Sequence, residues 1–223
     1  WYDEFDGTAI DSSKWSHEVN ANGGGNNELQ WYTDRSENSF IDNGTLIIQA
    51  NEEVYTSDGL TRQYTSARMR TLNKGDWLYG RIEVRAKLPQ GQGLWPAVWM
   101  LPSDWEYGTW AASGEMDIME LVGHEMDTVH GTLHYGGMWP NNTYTGADYK
   151  IAGSFADDFH VFAMEWTPYE IRWYVDGEHY QTQTSWYTTE APYPAPFDKR
   201  FHLILNVAVG GTWPGNPDST TTF

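Results

Sequence analysis

The sequence has 223 residues, with 13 basic against 31 acidic side chains, a formal charge of −18, and no cysteine. That balance excludes a nucleic-acid partner, whose phosphates need a basic footprint, and disfavours an anionic membrane surface. Lack of cysteine rules out disulfide, zinc-thiolate and iron–sulfur scaffolds, while 16% aromatic residues separate the chain from disordered acidic sequences and suit a neutral partner that ring faces can stack on, sugars first.

The length fits one domain with an ample core. The opening Trp1-Tyr2-Asp3-Glu4-Phe5 reads as the start of a mature domain rather than a leader, and no apolar run reaches the roughly 20 residues of a membrane span. Residues 23–27 form a glycine-rich loop, and Asp42-Asn43-Gly44 marks a turn before a β-rich run at 45–50. Over 80–86, Arg81, Glu83 and Arg85 alternate with Ile82, Val84 and Ala86, which predicts a strand with one wet face. Further runs at 128–135, 159–166, 170–175 and 201–209 are separated by Gly, Pro, Asn and Asp clusters. Asp176-Gly177 between two of them predicts a two-residue hairpin. No stretch keeps a 3.6-residue apolar period, so long helices are not expected. The reading is a single all-β antiparallel sandwich over residues 1–223.

The most informative stretch is Gly114-Glu115-Met116-Asp117-Ile118-Met119-Glu120-Leu121-Val122, three carboxylates inside an apolar β-like run. In a regular strand Glu115 and Asp117 share a face and Glu120 points the other way. One extra residue, a β-bulge near Ile118-Met119, brings Glu120 onto their face. Glu115 and Glu120 then stand about four strand steps apart, roughly 13 Å between Cα atoms at about 3.3 Å per residue. Side chains leaning together can close this to roughly 5–6 Å between carboxyls, against about 5–5.5 Å in retaining glycosidases and about 6.5–9.5 Å in inverting ones. Three carboxylates on one face cannot all ionise cheaply, so at least one pKa should rise, as a general acid requires. Spacing alone leaves open a solvated acidic strand face or a calcium site.

The E-x-D-x-x-E pattern of Glu115, Asp117 and Glu120 resembles that of family 16 glycoside hydrolases, in the bulged form of bacterial laminarinases (endo-1,3-β-glucanases). The resemblance extends to Asn26-Asn27-Glu28-Leu29-Gln30-Trp31-Tyr32-Thr33, to Tyr64-Thr65-Ser66-Ala67-Arg68 with Ala67 replacing the usual Gly, and to Gly93-Leu94-Trp95-Pro96-Ala97-Val98-Trp99-Met100-Leu101-Pro102. It continues through His130-Gly131-Thr132-Leu133-His134-Tyr135-Gly136 and Asn206-Val207-Ala208-Val209-Gly210-Gly211-Thr212-Trp213-Pro214-Gly215.

The family implies a jelly-roll sandwich of two curved antiparallel sheets with an open cleft on the concave face. By similarity Glu115 is the nucleophile, Glu120 the general acid/base and Asp117 the assisting carboxylate. Asn26, Arg68, Trp95, Trp99, Trp110, His134 and Trp213 are the sugar-contact candidates, with a core tryptophan, an acid-paired arginine, a structural histidine and a surface-loop tryptophan as their plainer alternatives. His130 and His134 alternate onto one face, but the family uses no catalytic metal. Its structural calcium would draw on Glu4 and Gly44, and its last strand, ending in a V-D-Y-V-R-V-Y-like run, would follow the point where this sequence stops at Phe223. The implied function is endo-hydrolysis of 1,3-β bonds in laminarin-like or mixed-linkage β-glucan by a secreted monomer without a catalytic cofactor. The alternatives are a non-catalytic glucan-recognition module and a lichenase; strict lichenases typically lack the residue that Met119 adds.

Overall fold

The computed structural model describes residues 1–223. Seventeen strands and a 3₁₀ turn at Gly23–Gly25 make up its regular structure. The large sheet runs β1 (Ser16–His17), β7 (Arg68–Arg70), β17 (Phe201–Val209), β10 (Leu94–Pro102), β11 (Glu115–Glu120), β12 (Thr128–Gly136) and β13 (Asn142–Lys150), with β8 (Asp76–Trp77) also on β17. Opposite it lies a sheet ordered β16 (Glu178–Gln183), β15 (Ile171–Val175), β14 (His160–Trp166) and β9 (Gly80–Ala86). Together they form the two layers of a jelly-roll sandwich. Two small sheets flank them: β2 (Gln30–Tyr32), β6 (Leu60–Ser66) and β5 (Asn51–Ser57), and the hairpin of β3 (Ser39–Asp42) and β4 (Thr45–Ile48). Pairing is antiparallel except between β2 and β6, which run parallel.

Local chemistry accounts for much of this. Asp176 and Gly177 take φ of 51° and 84°, and Asn43 and Gly44 take 47° and 73°. These left-handed pairs are what a two-residue hairpin turn requires. The predicted runs at 80–86 and 201–209 form strands with those bounds. The run at 45–50 is shorter than expected: it ends at Ile48, and the chain enters β5 at Asn51. β13, too polar to announce itself, is held by a nine-pair ladder to β12. All of β17 is buried, with Phe201, Leu203 and Leu205 in the core between the sheets.

The expected bulge is present. Asp117 pairs with Thr132 and Glu120 with His130, so β11 spends one residue more than β12 over the same step. On the other side Met119 pairs with Val98 and Asp117 with Trp99, which leaves Ile118 without an opposite residue. Ile118 and Met119 are both in the core, 2% and 1% exposed. Two successive inward apolar side chains are what returns Glu120 to the face of Asp117. The carbonyl of Asp117 accepts a 2.8 Å hydrogen bond from the Trp173 indole of β15, which ties the bulge to the opposite sheet. Gly131 on β12 makes room for that ring and for Tyr180, since a Cβ there would stand 2.4 Å from the Tyr180 hydroxyl oxygen, 2.7 Å from Trp173 Cδ1 and 3.0 Å from its Nε1.

Gly131→Ala is therefore expected to destabilise the fold by about 1–3 kcal/mol through overpacking. Trp173→Phe, which removes the indole donor, is expected to cost about 1–3 kcal/mol by leaving the buried carbonyl without its partner. Urea unfolding should give lower midpoints at an unchanged slope; a parental midpoint in either variant would refute this account of the bulge.

Candidate active site

β11 presents Glu115, Asp117 and Glu120 on one face, opposite His134, Thr132 and His130 of β12 in turn. Each glutamate is oriented by an indole N–H. Trp110 Nε1 donates to Glu115 Oε2 at 2.9 Å, and Trp95 Nε1 donates to Glu120 Oε1 at 3.1 Å. Asp117 lies between them and is 1% exposed. The His134 Nε2 stands 3.3 Å from Asp117 Oδ2 and 3.7 Å from Glu115 Oε1. Its ring lies against Trp110 on one side and Tyr144 on the other, with centroids 5.6 Å away in both cases.

Burial dominates the electrostatics. It pushes the Glu115 carboxyl up to about 8, with repulsion from Asp117 next in size; His134 and the Trp110 hydrogen bond pull the other way. Glu120 is likewise pushed up to about 8 by burial and then by Asp117, again opposed by His134 and by the Trp95 indole. Burial raises Asp117 well above its ordinary value. The three titrate as one set, so charge on one member holds protons on the others. Both glutamates are raised to about the same value, so at neutral pH the cluster retains protons, as a general acid requires.

The remaining predicted contacts surround this centre. Trp213, in the loop after β17, packs edge-on against Trp95 at 5.3 Å and against His130 at 4.9 Å, while remaining 41% exposed. His130 Nδ1 is 2.7 Å from Asp148 Oδ1, so that imidazole is engaged by a single carboxylate rather than paired with His134 around an ion. Trp99 Nε1 donates to Asn206 Oδ1 at 2.7 Å, and the Arg68 guanidinium lies 4.5 Å over the Trp99 ring. Arg68 is also paired with an acid: its Nε is 3.1 Å from Glu18 Oε2, and Arg70 shares that carboxylate at 2.8 Å. The Asn26 carbonyl accepts from Thr212 N at 2.8 Å, which joins the glycine-rich loop to the loop carrying Trp213.

Glu4 and Gly44 lie outside this assembly. Glu4 is exposed in the N-terminal segment and Gly44 is in the β3–β4 turn. They offer one carboxylate and one carbonyl, short of the six to eight oxygens calcium takes, so these two residues alone do not make up a calcium site. The one group of three or more carboxylate or imidazole donors close enough to share an ion is Glu115, Asp117 and His134, whose atoms already serve the centre described above.

Some members of the site gave no local signal. Tyr144 is on the polar strand β13 and becomes relevant only through the ladder that sets it opposite His134. Asn206 and Trp99 are 107 residues apart in sequence. Glu18 reads as one acid among many until two arginines converge on it.

Comparison with known proteins agrees with this geometry. Residues 11–222 match glycosyl hydrolases family 16. A beta-glucanase of Rhodothermus marinus is 47% identical over 225 residues, covering 96% of this chain and 76% of that protein. Glucan endo-1,3-beta-glucosidase A1 of Niallia circulans is 45% identical over 232 residues and 96% of this chain; the chain spans 34% of that relative's length. The crystal structure of the laminarinase catalytic domain of Thermotoga maritima MSB8 superposes with a TM-score of 0.88 at 43% identity, covering 100% of this chain and 91% of that one. The match over 11–222, with the bulged Glu115-Asp117-Glu120 face at its centre, means that the chain belongs to glycosyl hydrolase family 16.

Proposed function

We propose that the chain is an endo-acting β-glucan hydrolase that cleaves 1,3-β-glucosidic bonds in laminarin-like or mixed-linkage glucans with retention of anomeric configuration. The observation that carries this reading is the bulged strand that sets Glu115 and Glu120 on one face, each held by an indole donor, with Asp117 between them. Glu120 gives its proton to the glycosidic oxygen while Glu115 attacks the anomeric carbon; the carbon–oxygen bond breaks and a glycosyl-enzyme ester forms. Glu120, now ionised, takes a proton from water, which attacks the same carbon and releases Glu115. His134 Nε2, 3.3 Å from Asp117 Oδ2 and 3.7 Å from Glu115 Oε1, packs against both carboxyls and helps to hold them in place. Trp95, Trp99, Trp110 and Trp213 supply ring faces for glucosyl units, and Asn26 and Arg68 supply donors for hydroxyl groups. A purely glucan-binding module would have no use for three carboxylates crowded on one face, Asp117 buried and the two glutamates partly so, whose desolvation is costly. A polymer substrate also fits extracellular action by a secreted monomer.

Glu120→Gln should lower kcat on laminarin by roughly 10²–10⁴-fold, and Glu115→Gln should leave no detectable turnover. With Glu115→Ala, added azide should yield the α-glycosyl azide; with Glu120→Ala it should yield the β anomer. Full activity in either glutamine variant would sink the assignment.

Trp110→Phe removes a donor that favours ionised Glu115. Its carboxyl should then hold the proton to higher pH, and the acidic limb of kcat/KM should move upward. An unmoved limb would show that the indole does not set that ionisation.

Stability should carry the same signature. The fold holds the glutamate protons to about 8, whereas an unfolded chain releases them near 4.5. Their contribution is therefore intact below about 4.5 and is lost as pH rises towards 8. Glu115→Gln and Glu120→Gln should melt several degrees above the parent at pH 8 and level with it at pH 4. Scanning calorimetry across that range checks the sign.

A further inference from the structure

One buried carboxylate has no part in the reaction. Glu28 is 7% exposed at the base of the glycine-rich loop, and its hydrogen-bond partners are all neutral. Gln30 Nε2 donates to its Oε2 at 2.7 Å, the Tyr32 hydroxyl donates to the same oxygen at 3.2 Å, and Asn26 Nδ2 approaches Oε1 at 3.5 Å. The chain of bonds continues. Asn206 Nδ2 donates to the Tyr32 oxygen at 3.1 Å, and Asn206 Oδ1 accepts from Trp99 Nε1 at 2.7 Å. Trp99 lies under the Arg68 guanidinium and opposite Asp117 in the ladder. Burial and the Glu28 charge hold the Tyr32 phenol well above its ordinary pKa, so its hydroxyl stays a donor.

Two features speak against a mere scaffold. A buried carboxylate satisfied only by neutral groups costs more than an apolar residue filling the same space. Yet each branch from Glu28 ends on a side chain of the cleft: Asn26 on one, Trp99 with Arg68 on the other. The loop also closes directly over it. Gly24 has φ of +58°, and a Cβ there would stand 2.1 Å from Glu28 Oε1, so a larger residue would have to displace the carboxylate from its present place.

We propose that Glu28 is a positioning residue for the glucan: its carboxylate fixes Asn26 through one oxygen and, through Tyr32 and Asn206, fixes the Trp99 ring that Arg68 covers. The inference rests on the reading of this cleft as a β-glucan site and deepens it. Glu28 touches no substrate; it sets the spacing of a hydroxyl-binding amide and a ring platform on the side of the cleft formed by β7, β17 and β10. Its effect falls on binding of glucosyl units there, not on the proton transfers of Glu115 and Glu120.

The test uses the purified chain with laminari-oligosaccharides of increasing length. Tyr32→Phe cuts the branch to Trp99 while keeping the ring, and Glu28→Gln keeps the shape but turns an acceptor towards Asn26 into a donor. Each should raise KM about three- to tenfold, the worth of one buried hydrogen bond, with kcat within about twofold. Tyr32→Phe combined with Trp99→Phe should lose less than the product of the two single effects, because both act through one chain of bonds. Unchanged KM in both single variants, or a fall in kcat without a rise in KM, overturns the proposal; a lower melting temperature with parental KM marks the network as scaffold only. A parental chain inactive on laminarin would instead defeat the reading of the cleft, so the two failures are distinguishable.

Discussion

The site depends on one extra residue in β11 and on what holds it in place. Without the bulge, Glu120 would project into the layer now filled by Ile118 and Met119. An unpaired carboxylate in that layer would cost several kcal/mol or stay protonated, useless to the cleft. With the bulge, the ladder is interrupted at its most critical point. The Trp173 indole reaches across the sandwich to the Asp117 carbonyl, and Gly131 yields the space for it. The second sheet therefore helps to hold the geometry of the first, though none of its residues touches the reacting face.

The same packing creates the chemistry. Burying three carboxylates on one strand face is unfavourable, and the fold offsets it sparingly: two neutral indole donors and one imidazole stand among them. A guanidinium against Asp117 would have stabilised the charges and lowered their pKa values, removing the proton the acid must give. The nearby arginines, Arg68 and Arg70, are instead engaged by Glu18. Holding strong cations away from the triad while supplying weaker donors keeps protons on the cluster at neutral pH.

The aromatic residues divide by the same logic. Trp15, Trp31, Trp166, Trp173 and Trp186 are buried, while Trp95, Trp99 and Trp110 are half-buried, with the indole N–H pinned inward. A ring fixed by its N–H loses little further freedom when a sugar packs on its face, which suits a preorganised platform. Trp213 has no such anchor and is held only edge-on by Trp95 and His130. The negative charge lies mostly on outward positions and matters to the reaction at three residues among 31 acids.

The sequence by itself determined the β class, the Asp-Gly hairpin, the Asn-Gly turn and the bulge, because each rests on local rules: alternation, left-handed turn residues, and the count of residues between carboxylates. The family motifs added the roles of Glu115, Asp117 and Glu120. Other features were not legible, because they join residues far apart in the chain. Examples are Trp173 on the Asp117 carbonyl at 56 residues' separation, and Asn206 on Tyr32 at 174. Polar β13 and the parallel pairing of β2 with β6 belong here too, since neither carries a periodic signal and each exists only through its neighbour. Which indole orients which glutamate was likewise decided by tertiary structure alone: a hydrogen bond to a buried carboxylate depends on where two strands place their side chains, and spacing along one strand contains no information about the next.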